Sequence, residues 1–127
     1  MSVSGIPRAL LRLEGAVALI GATVAYGAIH DSWLVFALLF LAPDLSMFAY
    51  VRGARFGSVL YNAVHTYVAP ALLAALAVAG VIPNAWPFCL TWVAHIGFDR
   101  VMGFGLKYPS AFRDTHLGPI GRTAAPA

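Results

Sequence analysis

Residues 56–81 read FGSVLYNAVHTYVAPALLAALAVAGV, a stretch without a single Asp, Glu, Lys or Arg. Crossing about 30 Å of hydrocarbon takes roughly 20 mostly apolar residues at a rise of about 1.5 Å each. The stretch therefore predicts a membrane-spanning helix. Asn62, His65 and Thr66 lie in its first half, and 72–82 carries no polar side chain.

Three further stretches of the same kind lie around it, at roughly 8–29, 32–51 and 84–106. The junctions His30-Asp31-Ser32, Arg52-Gly53-Ala54-Arg55 and Pro83-Asn84 are polar or helix-breaking. Connections this short make consecutive helices antiparallel neighbours. The expected fold class is all-α: an integral membrane four-helix up-down bundle, a single membrane domain over 1–127 with a tail at 107–127. Composition agrees, with 61% hydrophobic and 10% charged residues against about 45–50% and about 25% in a soluble domain. The mean hydropathy is +0.81. One cysteine, Cys89, excludes an intrachain disulfide framework and a cysteine-based zinc ribbon. The net charge of +3 comes from scattered basic residues with no patch-like run, so no nucleic-acid partner is expected.

The basic residues orient the bundle. Arg8, Arg12, Arg52, Arg55, Arg100, Lys107, Arg113 and Arg122 all fall on one side, and the two opposite loops hold none. By the positive-inside rule that side is cytoplasmic. A multi-pass membrane protein with N- and C-termini in the cytoplasm is expected.

The polar groups inside the spans gather on that same side. Glu14, Asp44, the Asn62/His65/Thr66 group and the His95/Asp99/Arg100 group lie within about ten residues of the cytoplasmic helix ends. One ionisable side chain near the membrane centre costs about 2.5–3.5 kcal/mol. Glu14, Asp44, Asp99 and Arg100 should therefore face the bundle interior and meet each other, water or an ion. His95 and Asp99 are four residues apart and share a helix face, as do Asn62 and His65 at three. The small residues Ala18, Ala22 and Ala25 continue the Glu14 face and would admit a close helix. Pro43 and Pro70 sit beside these groups and free the Leu39 and Thr66 carbonyls from intrahelical bonding.

Imidazole and carboxylate groups from four helices have the composition of a divalent metal site (zinc, iron or manganese) built inside a bundle. In this reading His65, His95 and Asp99 are metal ligands, and Glu14, Asp44 and Arg100 are the catalytic candidates. Asn62, Lys107, Asp114 and His116 are the substrate-binding candidates, with Arg100 and Lys107 meeting an anionic lipid headgroup. The activity would be a metal-dependent membrane hydrolase on a lipid-like substrate. Two other readings stay open. One is a non-enzymatic protein in which Arg100 pairs with Asp44 or Glu14 in a structural ion-pair network or partner-binding core. The other is a proton- or ion-conducting oligomer, since four spans without internal duplication would have to oligomerise to transport. Tyr108 and Phe112 suit an interfacial anchor for a tail lying along the membrane surface, and Asp114 and His116 could instead fold back over the opening.

Phe40-Leu41-Ala42-Pro43-Asp44-Leu45-Ser46-Met47, Tyr61-Asn62-Ala63-Val64-His65-Thr66-Tyr67, His95-Ile96-Gly97-Phe98-Asp99-Arg100 and the segment from Gly105 to Gly118, together with 10–14, resemble small bacterial membrane proteins of domain-of-unknown-function family 4260. The resemblance runs from about Leu10 to Gly121. It implies a four-span bacterial inner-membrane protein and no particular activity. His95-Ile96-Gly97-Phe98-Asp99 is also loosely similar to the His-x-x-x-Asp helix of membrane-bound metal-dependent hydrolases, without their other His-rich motifs.

Overall fold

The computed structural model describes residues 2–29 and 32–121. The His30-Asp31 junction and Arg122 lie outside the described residues. The described residues form helices and connecting turns, with one isolated antiparallel bridge between Lys107 and Thr115. Helix α1 covers Gly5–Ile29. The second segment begins as α2, Trp33–Leu41, and continues as a 3-10 helix, Ala42–Arg52. The third is split into α3, Ala54–Val64, and α4, Val68–Val78. After a short turn at Pro83–Ala85 comes α5, Trp86–Met102.

Three segments, Gly5–Ile29, Trp33–Arg52 and Ala54–Val78, are long and apolar enough to cross a membrane. Their outward faces are apolar: Leu10, Leu13, Val17, Ile20 and Val24 form an exposed stripe along α1. An apolar exterior of this kind suits a lipid bilayer and not water.

The fourth expected span, 84–106, is shorter in the structure. Its helix ends at Met102 because Gly103 turns left-handed (φ 85°) and the chain doubles back. Gly103 N–H donates to the Arg100 carbonyl and Phe104 N–H to the Asp99 carbonyl at 2.7 Å, which closes the helix end. At 17 residues α5 is about 26 Å long. It is also the most enclosed helix, burying Ala94, His95, Ile96, Gly97, Asp99 and Arg100.

The most extensive helix–helix contact joins the first helix to the last, α1 to α5. It is a backbone contact. A Cβ on Gly97 would sit 2.6 Å from the Gly15 carbonyl oxygen and 2.7 Å from Leu19 N, and one on Gly15 would run into the Arg100 side chain. Small residues at a membrane crossing gain stability by such close approach. The buried face of α1 is accordingly Gly15, Ala22 and Tyr26. Glu14, expected to face the interior, is exposed on α1, because Gly15 holds the face turned to α5.

Both proline-marked breaks are visible. Ala42 N–H takes the Leu39 carbonyl that Pro43 cannot, and the tighter 3-10 winding continues to Arg52. Ahead of Pro70 the helix opens at residues 65–67. The carbonyls at the end of α3 find side-chain donors: Trp92 Nε1 reaches the Val64 carbonyl at 2.6 Å, and Arg100 reaches the His65 carbonyl at 2.7 Å.

The tail does not lie flat along a surface. It folds back as a strap in which Lys107, Thr115 and Leu117 are buried. His116 N–H donates to the Leu106 carbonyl, and the Leu106 N–H donates to His116 Nδ1. The Val3 N–H donates to the His116 carbonyl, and Arg8 Nε to the Leu117 carbonyl at 2.6 Å. The start of α1 is thereby tied to the strap.

Candidate metal centre

Four side chains from three segments converge below the strap. Asp44 comes from the start of the 3-10 helix, His65 from the break after α3, and His95 and Asp99 from one face of α5. One ligand atom from each lies within 4.8 Å of all the others. Asp44 Oδ1 is 3.4 Å from His65 Nε2 and 3.2 Å from His95 Nε2. Asp99 Oδ2 is 3.6 Å from His65 Nε2 and 3.4 Å from His95 Nε2. The two Nε2 atoms are 3.2 Å apart.

These distances fit a cation. A tetrahedral ion with ligands at about 2.0–2.1 Å has ligand–ligand edges of about 3.3–3.4 Å, and the five distances bracket that value. The group could hold a metal ion. Charge balance points the same way, since two carboxylates this close in a largely buried site favour a divalent cation between them.

The surroundings orient the ligands. The Tyr61 carbonyl can only accept, so His65 Nδ1 carries the proton it donates across 2.9 Å, and Nε2 presents its lone pair to the other ligands. The Tyr61 ring lies parallel to His65, with centroids 3.7 Å apart, and its hydroxyl donates to Asp99 Oδ2 at 3.4 Å. Phe40 packs edge-on against His95. His65 is fully enclosed, whereas the Asp44 side chain keeps 38% of its surface. Asp44, His95 and Asp99 also line a cavity of about 250 Å³ walled by Phe40, Phe98, Phe104 and Phe112.

Of the residues singled out from sequence, His65, His95, Asp99 and Asp44 are brought together. Glu14 is not part of the group. Arg100 is buried beside it but pairs with no carboxylate among the described ion pairs. Its guanidinium donates instead to the Phe104 carbonyl at 2.9 Å and the His65 carbonyl at 2.7 Å. The pairing with Asp44 or Glu14 considered in the ion-pair reading gives way to bonds with backbone carbonyls, one of them at the break in the third segment. Asn62 is taken up by the strap, accepting from Lys107 N–H at 2.6 Å and donating to the Lys107 carbonyl at 2.8 Å. Asp114 accepts from the Ser110 hydroxyl at the exposed turn. His116 Nδ1 accepts from Leu106 N–H, and burial, with the Arg100 charge, lowers its basicity. Lys107 points its ammonium between two rings, 3.7 Å from the Phe112 centroid and 4.8 Å from that of Tyr61.

Tyr61 and Trp92 also support the site, beyond the residues that the sequence singles out. Tyr61 precedes His65 by one helical turn, which is a usable signal. Nothing local marks Trp92.

No curated protein and no solved structure matches this chain. The model of one family does, over residues 8–120. That match covers all four ligand candidates, the glycine crossing and most of the strap, and the chain belongs to the family described as Domain of unknown function (DUF4260).

Proposed function

We propose that this is a membrane-embedded, metal-dependent hydrolase of lipid-like esters, in a four-span bundle with both termini on the cytoplasmic face of the inner membrane. The observation that carries the reading is the close convergence of His65, His95, Asp44 and Asp99 at the edge of an apolar cavity. The strap contacts from residues 3 and 8 to residues 116 and 117 support termini on one side, and the clustering of basic residues supports the cytoplasm.

His65, His95 and Asp99, the three more enclosed ligands, would hold a zinc, iron or manganese ion. Such an ion would supply water activation and polarisation of an ester carbonyl. A catalytic site needs one open position. Asp44, partly exposed on the cavity side, would serve as general base for the incoming water. Arg100 acts as a positioning residue through the His65 carbonyl. Glu14 has no part in this mechanism.

Full-length protein purified without chelator should contain about one zinc, iron or manganese per chain. It should hydrolyse a 4-methylumbelliferyl fatty ester presented in micelles, and His95→Ala should lose metal and activity together. Metal-free protein that gains no thermal stability from added divalent ions would overturn the reading. A second reading, a structural metal site, is favoured by one observation: four ligand atoms lie within 4.8 Å of one another, enough for a four-ligand shell. Stoichiometric metal without turnover of any ester would select it.

A further inference from the structure

The cavity beside the ligand group is lined by groups of both charges. Asp44, His95 and Asp99 border it, and so do Lys107 and Phe112. Its rim is apolar and open: Leu41, Met47 and Phe98 line it while exposing 61%, 37% and 39% of their surfaces. In a chain whose outer faces are apolar, such a rim admits an acyl chain from the bilayer and not a water-soluble metabolite.

Lys107 sets the charge. It is 97% buried by its residual exposure of 3%, yet no described carboxylate pairs with it. Both carboxylates of the cavity are turned to the histidines. Its ammonium is held on the faces of Phe112 and Tyr61, and cation–π contact only partly replaces the water lost on burying an ammonium. The backbone clip to Asn62 fixes the residue in place whatever its side chain does. A buried cation that no carboxylate contacts, in a cavity with an apolar mouth, suits an anion that arrives with a hydrocarbon tail.

We propose that the cavity binds a single-chain amphiphile carrying one anionic oxygen group, carboxylate or phosphate, with that group at Lys107 and its chain leaving past Phe98 and Met47. Lys107 is thereby the specificity-determining residue of the site. As a statement about substrate the inference rests on the hydrolase reading. As a statement about binding it does not, because Lys107 is not a metal ligand.

The test is displacement of a fluorescent fatty acid from full-length protein in nonionic detergent, read for the zinc-loaded wild type and for the wild type stripped of metal by chelator. Dodecanoate or dodecyl phosphate should displace it at least about tenfold more tightly than dodecanol or dodecyltrimethylammonium, the difference a charge-assisted contact supplies. Lys107→Met should abolish that preference, and Lys107→Arg should retain it. The stripped wild type should keep it, whether or not the protein proves to be a hydrolase. Equal binding of dodecanol, a preference that survives in a folded Lys107→Met protein, or one that needs the metal but not Lys107 would each overturn the proposal. Inorganic phosphate displacing the probe as well as dodecyl phosphate does would overturn the amphiphile. The tighter of the two anionic probes identifies the headgroup class.

Discussion

Arg100 donates to the His65 backbone carbonyl across 2.7 Å, which links the ligand-bearing face of α5 to the break in the third segment. His65 can leave the helix axis because its carbonyl is met by a cation, and the Val64 carbonyl beside it by the Trp92 indole. Arg100 therefore belongs to the backbone of the site and not to its carboxylates.

Arg100→Gln should destabilise the protein by about 2–4 kcal/mol, since two charge-assisted bonds to buried carbonyls are lost or weakened. Unfolding in detergent measures it. Combined with Asp44→Asn the losses should add to within about 0.5 kcal/mol, because no direct pair joins the two residues. A double variant much more stable than the sum would indicate pairing after all.

Gly97→Ala should cost about 1–3 kcal/mol as α1 is pushed off α5. Zinc affinity, followed by competition with a chromophoric chelator, should fall with it, because His95 and Asp99 flank the crossing. Gly21, on the exposed side of α1 with open space around it, is the control. Gly21→Ala should leave both stability and metal binding nearly unchanged.

Asn62→Leu removes both bonds to the Lys107 backbone and leaves a buried N–H and carbonyl unpaired. Loss of about 1–3 kcal/mol is expected. Trypsin should then cut at Lys107 or Arg113 much faster than in the wild type, and equal cleavage rates would show that the strap is held elsewhere.

Burial holds the Lys107 ammonium at about 8, below its ordinary 10.5. The charges of Asp99 and Asp44 oppose that shift, and the rings of Tyr61 and Phe112 face the ammonium. A lowered folded-state value means that the unfolded chain binds the proton more tightly. Stability should therefore rise with pH between about 8 and 10.5. Dodecanoate binding, which needs the cation, should fall over the same interval. The wild-type curve minus that of Lys107→Met isolates both effects, and parallel curves would count against a charged Lys107 in the cavity.

Helical segments, their approximate limits and the candidate ligands could be read from the chain itself, because hydropathy, charge and proline spacing are local properties. The run 56–81 reads as membrane-spanning whatever it packs against, and the spacing of His95 and Asp99 puts them on one helix face by geometry alone. Convergence is a different kind of property. Whether Asp44 reaches His95 depends on the 3-10 winding after Pro43, on the opening at 65–67, and on Gly97 letting α1 and α5 touch. Each of these is set by contacts between residues distant in the chain. The same holds for Arg100, whose charge is visible in sequence but whose direction was decided by bare carbonyls on another segment. Glu14 shows the converse. Its cost in lipid argues for burial, and a neighbouring glycine, needed where α1 meets α5, turns it outward.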